Sequence, residues 1–490
     1  MKILLVYPSC PDTFWSFKHV LRFVAKRAAF PPLGLLTVAA MLPSDWELKL
    51  VDTNVEALDD RDIAWADWVL LSGMIVHKDS ARSIARRCAA LGRPVIAGGP
   101  LFTTGHWEFP EIAHFVLGEV ENVIDELVAD MRAGEVKRSY RAAAFPDVTR
   151  TPVPRWDLVD LRHYVTMPVQ FSRGCPFDCE FCDIVAMYGR VPRTKNPGQV
   201  IAELDALRRA GWRDMVFIVD DNFIGNGKRV RELLRALVEW RGRTRPKMGF
   251  LTEASVNLAD HDELLELMVR AGFKKVFVGL ETPVTESLEE CRKLQNSKRD
   301  LADSVRAIQS AGLEVMGGFI VGFDNDPLDI FGRQFEFIQR SGVVTAMVGL
   351  LTALPQTRLY ERLAREGRML AESVGDNTAA VLNFVPRLDR NHLFAGYREL
   401  MRSLYSPENY YRRVRAFLSN WRPRGPGTRL AWSDVRAFVR SLWTLGVSQR
   451  GRRAYWRLFW ATLLVRPRKF RVAMELAIIG HHFRTVAERL

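Results

Sequence analysis

The sequence predicts an α/β protein made of two β/α series, a doubly wound parallel sheet and a partial (β/α)6 barrel, with a helical region after them. Three observations carry this expectation. Short apolar runs alternate with helix-length amphipathic stretches over most of the chain. One turn-rich stretch, AAAFPDVTRTPVPRWDLVD at 142–160, interrupts the alternation with three prolines. Beyond about residue 386 the strand-like runs stop, and Arg and Trp accumulate. At 490 residues the chain is too long for one ordinary domain. Its 48% hydrophobic and 26% charged residues describe a well-cored globular protein. The expected divisions are 1–135 for the first sheet, 136–165 for a linker, 166–385 for the barrel and 386–490 for the C-terminal region.

In the first series, KILLVYP, WELKLVD, WADWVLLSGM, PVIAGGP and HFVLGEV supply strands, and stretches such as DSARSIARRCAALG supply helices. MKILLVYPSC is too short in its apolar part for a signal peptide and reads as a buried first strand. No run reaches the roughly 20 apolar residues of a membrane span, which predicts a cytoplasmic protein. Ligands of such sheets sit beyond the carboxyl ends of the strands. Here those ends bring Ser72, His77, Gly98, Gly99, Pro100 and Glu119 into play. The Gly-Gly pair lets a large ligand approach the backbone closely.

The barrel series opens with MPVQFSR, which delivers RGCPFDCEFCD at 173–183. Five more candidate strands follow: MVFIVDD, GFLTEAS, KVFVGLET, LEVMGGFIVGFD and TAMVGLLTALP. Polar residues gather at their ends, among them Asp220, Asp221, Asn222, Glu253, Ser255 and Glu281, where barrel chemistry belongs. The same residues also suit helix capping and structural hydrogen bonding. Three of the six cysteines, Cys175, Cys179 and Cys182, form C-x3-C-x2-C. This clustering speaks for a reducing compartment and a metal site, not a disulfide framework. Zinc usually takes four ligands from two pairs, and no second pair exists, since Cys10, Cys88 and Cys291 are scattered singles. On a cubic 4Fe-4S cluster, three thiolates leave one iron open to a non-protein ligand.

A C-x3-C-x2-C loop after the first barrel strand resembles the signature of radical SAM enzymes. FIVDDNFIG, LTEAS, GLET and GGFIVGF, the last containing Gly318, look like that family's strand-end contacts to S-adenosylmethionine. With PPLGLLTVAAML and a GGP strand end before the barrel, residues 1–410 resemble the cobalamin-binding branch, whose first domain is flavodoxin-like. QFSRGCPFDCEFCDI, YGRVPR and FIVDDNFIGN are similar to the hopanoid C-2 methylase type.

The resemblance implies a 4Fe-4S cluster on the three cysteines, S-adenosylmethionine on the barrel residues and cobalamin on the first-domain residues. It also implies an external electron donor of flavodoxin or ferredoxin type. The implied activity is methylation of an unactivated carbon of a hydrophobic, lipid- or hopanoid-like substrate, through a 5′-deoxyadenosyl radical and methylcobalamin. An oxidative cyclisation or rearrangement with the same cofactors is a second reading, and a cobalamin or redox sensor a third. The D-x-H-x-x-G pattern of many cobalamin proteins is absent, because its Asp and Gly positions around His77 hold Ile75 and Ser80. His77 reads as a cobalt ligand or as a pocket-lining residue. Tyr188 and Arg190, just after the cysteine loop, read as catalytic residues lining the site or as anchors of the loop.

The net charge of +13 is localised. Residues 411–490 hold 18 basic and three acidic side chains with five tryptophans, so the rest of the chain is close to neutral. Basic helices with Trp suit an anionic membrane surface, which predicts peripheral attachment at its inner face. A cap of helices with a solvated Arg face is the plainer reading, and nucleic acid is not expected as a partner.

Overall fold

The computed structural model describes residues 1–371, 373, 375, 376, 381–424 and 432–490. Its first sheet is entirely parallel, in the order β2-β1-β3-β4-β5-β6, with β1 Lys2–Tyr7, β2 Glu47–Asp52, β3 Trp68–Ser72, β4 Val95–Gly98, β5 His114–Leu117 and β6 Ser139–Arg141. Ile3 to Val6 are completely buried, as expected of a parallel strand covered on both faces. Strand β6 corrects the expected linker. It lies within 136–165 yet extends the sheet, pairing Phe115 with Ser139. Its polar SYR lacks the apolar run that marks the other strands.

The connection that remains is docked along the first domain. The Arg155 N–H donates to the Leu36 carbonyl, and the buried Tyr164 hydroxyl donates to Asp52 at 3.0 Å. The second sheet is an open parallel half-barrel in the order β14-β13-β12-β11-β10-β7. Its strands are β7 Met167–Val169, β10 Val216–Ile218, β11 Phe250–Ala254, β12 Phe273–Glu281, β13 Glu314–Val321 and β14 Ala346–Leu350. Between β7 and β10 a small antiparallel ribbon, β8 Ser172–Arg173 with β9 Arg193–Thr194, frames the cysteine loop.

Burial alternates along these strands. Val276, Val278 and Leu280 are sealed beneath helices, whereas Phe277 and Gly279 are half-buried. The same alternation leaves Leu251, Glu253, Gly318 and Ile320 half-buried, so these residues line an open lumen. Trp15, from the first domain, packs on Phe277 with ring centroids 5.1 Å apart.

The C-terminal helices are built into the body. Arg390–Tyr405 and Pro407–Asn420 pack on the barrel helix Ile330–Ser341. Arg413 is fully buried between Tyr405 and Tyr410 and donates to the Leu404 and Val344 carbonyls. Helix Phe470–Ala487 reaches both earlier domains. Glu475 pairs with barrel Lys275 at 2.6 Å, and the buried His482 ring lies 3.1 Å from the Thr13 and Phe14 carbonyls. Part of the C-terminal basicity is therefore structural, as the plainer reading expects. No helix among the described residues is long and apolar enough to cross a membrane.

Candidate active site between the two parallel sheets

The cysteine loop is shaped from its first residue. Gly174 has φ +95°, and a Cβ there would lie 2.9–3.2 Å from the carbonyls of Gly189, Tyr188 and Val191. Only glycine lets the chain double back so tightly. The Cys175 N–H donates to the Gly189 carbonyl at 3.2 Å. The acidic residues between the cysteines anchor the loop from outside: Asp178 pairs with Arg358 at 2.9 Å and Glu180 with Arg362 at 2.7 Å. The amides of Asn222 and Gln295 lie 3.9 Å from the Cys175 and Cys179 sulfurs. Burial pushes the Cys175 and Cys182 thiols up.

Among the described residues no group of three or more His, Cys, Asp or Glu side chains is arranged to hold a single metal ion. Zinc usually takes a second cysteine pair, and Cys10, Cys88 and Cys291 lie elsewhere in the chain, whereas three half-buried sulfurs on one loop suit three corners of an iron–sulfur cube.

Barrel carboxylates surround the loop, with roles more varied than the sequence predicts. Asp220, expected to contact the cofactor, anchors the strand before the loop. Its two oxygens accept from the Phe171 N–H at 2.8 Å and the Ser172 hydroxyl at 2.6 Å, so they are occupied. Burial pushes its carboxyl up to about 6. Asp221 is held by the Gly174 N–H and is pushed up to about 7 by burial and by Asp220. Asn222 accepts from the Ser255 N–H at 3.2 Å and hydroxyl at 3.3 Å. Glu253 points into the lumen, pushed up to about 8 by burial and then by Asp221 and Asp220.

Glu281 is buried with a left-handed φ of +62° at a β-bulge, a strained conformation of the kind that gathers at functional sites. It accepts from Lys293 at 2.7 Å. Burial pulls Lys293 down, but Glu281 and the Cys179 sulfur together hold its ammonium above the usual range. A side chain at Gly318 would strike the Phe277 ring at 2.8 Å. Its role is to admit that ring.

Tyr188 is half-buried near Asp221, and burial pushes its phenol up. Arg190 takes the second of its two expected places. It is exposed and donates to the Pro176 carbonyl at 3.2 Å, which makes it an anchor of the loop and not a lining residue.

On the opposing sheet, Gly99 has φ +88°, and a Cβ there would lie 2.5 Å from the Ser72 hydroxyl. Gly98 precedes it at the end of β4, and Pro100 opens the next helix. His77 is buried against Tyr7, ring centroids 4.9 Å apart, and its Nδ1 accepts the Met74 N–H at 3.0 Å. Burial pulls it down to about 4. With Nδ1 accepting, the neutral ring carries its proton on Nε2, which favours the wall-residue reading of His77 over the cobalt-ligand one.

Glu119, expected to face cobalamin, makes ion pairs. It is tied to Arg173 at 2.5 Å and Arg193 at 2.6 Å, while neighbouring Glu121 meets Arg173 at 2.7 Å. These buried ion pairs clamp the end of β5 to the residue preceding Gly174. Local sequence gives no sign of them beyond the surprising placement of two glutamates after an apolar strand.

Comparison with known proteins agrees with this arrangement. Residues 24–128 match the B12 binding domain, 169–363 the Radical SAM superfamily, and 357–490 a domain of unknown function, DUF4070. A half-barrel with an open cysteine triad facing a B12-binding sheet defines a cobalamin-binding radical SAM enzyme, with a 4Fe-4S cluster, S-adenosylmethionine and cobalamin as its cofactors.

The chain is 42% identical, over 99% of its length and 91% of the relative's, to a Synechocystis protein named Uncharacterized methyltransferase sll1242. It is 34% identical, over 98% of its length and 92% of the relative's, to the hopanoid C-2 methylase of Rhodopseudomonas palustris. The radical S-adenosylmethionine methyltransferase TsrM of Kitasatospora setae, solved with cobalamin and a 4Fe-4S cluster, shares the fold with a TM-score of 0.59 at 16% identity, covering 98% of this chain and 99% of that one. The chain belongs to the cobalamin-dependent radical SAM methyltransferase family.

Proposed function

We propose that the enzyme methylates an unactivated carbon of a hydrophobic, polycyclic-lipid-like substrate held in the barrel lumen. The observation that carries this reading is the lumen wall. Leu251, Phe277 and Ile320 are apolar and half-buried, Trp15 closes over Phe277, and Glu253 is the carboxylate among them. Such a surface gains by taking apolar area out of water, at about 25 cal/mol per Å2, and offers a polar substrate few partners. Similarity across nearly the whole length to a hopanoid methylase supports the same substrate class.

In this reading Cys175, Cys179 and Cys182 hold the cluster. Asp221, Asn222, Ser255, Glu253, Glu281 and Gly318 shape the S-adenosylmethionine site, with Glu253 and Asp221 as the carboxylates beside its cationic groups. Ser72, His77, Gly98, Gly99 and Pro100 form the cobalamin-facing wall, and Tyr188 lies between the two. When bound, these groups supply radical generation and the methyl group, while the protein positions them and excludes water. The second sheet's Asp220, with Arg190 and Glu180, keeps the cluster loop rigid. An electron donor of flavodoxin or ferredoxin type completes the system, and the basic C-terminal region faces an anionic membrane surface.

The test is expression with added cobalamin in a host making polycyclic lipids, fed methyl-labelled methionine. A lipid heavier by one labelled methylene unit is expected. Unchanged lipid extracts alongside a newly methylated polar metabolite would overturn the substrate class.

A further inference from the structure

Helix Trp432–Trp443 carries its apolar stripe on the wrong side for a soluble domain. Ala437 and Ser441 turn inward and are buried. Trp432, Val435, Val439 and Trp443, spaced three or four residues apart on the opposite side, are 84%, 36%, 57% and 69% exposed. The next helix, Arg452–Val465, packs on it through Phe438 and Phe459, ring centroids 6.2 Å apart, and adds Trp460 at 52% and Leu464 at 74% exposed. Contiguous apolar surface of this kind marks an interaction site. Around it, residues 435–474 include ten basic side chains and no acid. The flanking acids are engaged elsewhere, Asp434 with Arg471 and Glu475 with Lys275.

We infer that this face docks on an anionic lipid bilayer, with Trp432, Trp443, Trp460 and Leu464 entering the interface and Arg436, Arg453 and Arg457 meeting the headgroups. The inference deepens the membrane reading above and assigns a role to the C-terminal domain. The helix is 12 residues long, about 18 Å at 1.5 Å per residue, so it lies in the interface and does not cross it. Charge decides between occupants. A second copy would bring one basic surface against another, whereas an anionic surface complements it. Nucleic acid would use the arginines but leave Val439 and Leu464 without a partner, since its bases stack on aromatic faces. A bilayer uses both, and it is also where a polycyclic lipid would be found.

The test uses the full-length holoenzyme and vesicles in flotation. Co-flotation is expected with vesicles of phosphatidylglycerol and phosphatidylcholine. Affinity should fall at least tenfold on pure phosphatidylcholine, and again in high salt. The triple variant W432S/W443S/L464S should lose tenfold or more while keeping its iron and cobalamin absorbance, because all three side chains are exposed. Brominated lipid should quench tryptophan emission in the wild type and quench it less in the variant.

Wild type that stays with the protein-only fraction would overturn the inference, as would a triple variant that floats unchanged. A wild-type dimer that the triple variant converts to monomer in sedimentation would give the face to a second copy. Salt-sensitive RNA binding lost in the variant would give it to nucleic acid. No turnover is involved, so docking can fail while lipid methylation in detergent succeeds, and the reverse.

Discussion

The first sheet presents Ser72, Gly98, Gly99 and a neutral His77 at its ligand-facing ends, while the half-barrel presents Asp221, Glu253 and Glu281. Both sheets have six strands, all parallel within each sheet, yet one reverses its strand order between β1 and β3 and the other curls as a half-barrel in sequential order, and their strand ends carry different side chains. A bulky ring cofactor needs space and close backbone approach, which missing side chains provide. A sulfonium with an amino group needs negative charge in a dry place, and burial keeps that charge in reserve by raising the carboxyls. Two parallel sheets thus serve two ligands of opposite demands.

The comparison can be broken at its most sensitive point by Cys182→Ala. That variant should lose iron and all methyl transfer while still binding cobalamin, measured by metal analysis and visible absorbance. Loss of cobalamin as well would mean that the sheets are not separately furnished. Next in size is the clamp between them. Arg173→Met leaves Glu121 buried without its ion-pair partner, while Glu119 keeps Arg193, and should cost about 3–5 kcal/mol in denaturant unfolding. The variant Glu121→Gln/Arg173→Met should recover part of that loss.

A smaller effect tests the glycine-built end. Gly99→Ala places a methyl group against Ser72 and imposes a φ of +88° on alanine, a strain of order 1–3 kcal/mol. Cobalamin affinity should fall about tenfold or more, which is 1.4 kcal/mol or more, with iron content unchanged. Ser72→Gly added to it should restore only the steric part.

The smallest effect concerns the C-terminal tether. Burial depresses His482 to about 4 in the folded protein, against about 6.5 unfolded. Stability is therefore complete above pH 6.5 and declines as pH falls from 6.5 toward 4. The decline is about 1 kcal/mol by pH 5.5, read as a lower thermal midpoint. His482→Gln should remove only its own share of that slope, since His77 and His481 are depressed to about 4 as well, and an unchanged slope would remove His482 from the account.

Sequence made the cysteine loop and the strand-helix alternation legible because both are local. Three residues at fixed spacing and apolar runs of strand length need no tertiary information. Polar strand β6 escaped, since SYR has no apolar signature and joins the sheet only through its neighbour β5. Glu119, Asp220 and Arg190 have partners that are not legible in sequence. Each is satisfied by a group distant in sequence or by a backbone amide or carbonyl, and one-dimensional pattern cannot choose among acceptors. The outward stripe of helix Trp432–Trp443 was visible only as composition until burial showed which side of the helix packs.

The clamp at Arg173 has an evolutionary corollary. Splicing a foreign B12 module onto this barrel at the proline-rich crossover would look harmless by domain boundaries. It would nonetheless strand a guanidinium beside the cluster loop unless the donor module brought its own two carboxylates after the fifth strand. The halves of this enzyme have therefore to be inherited together.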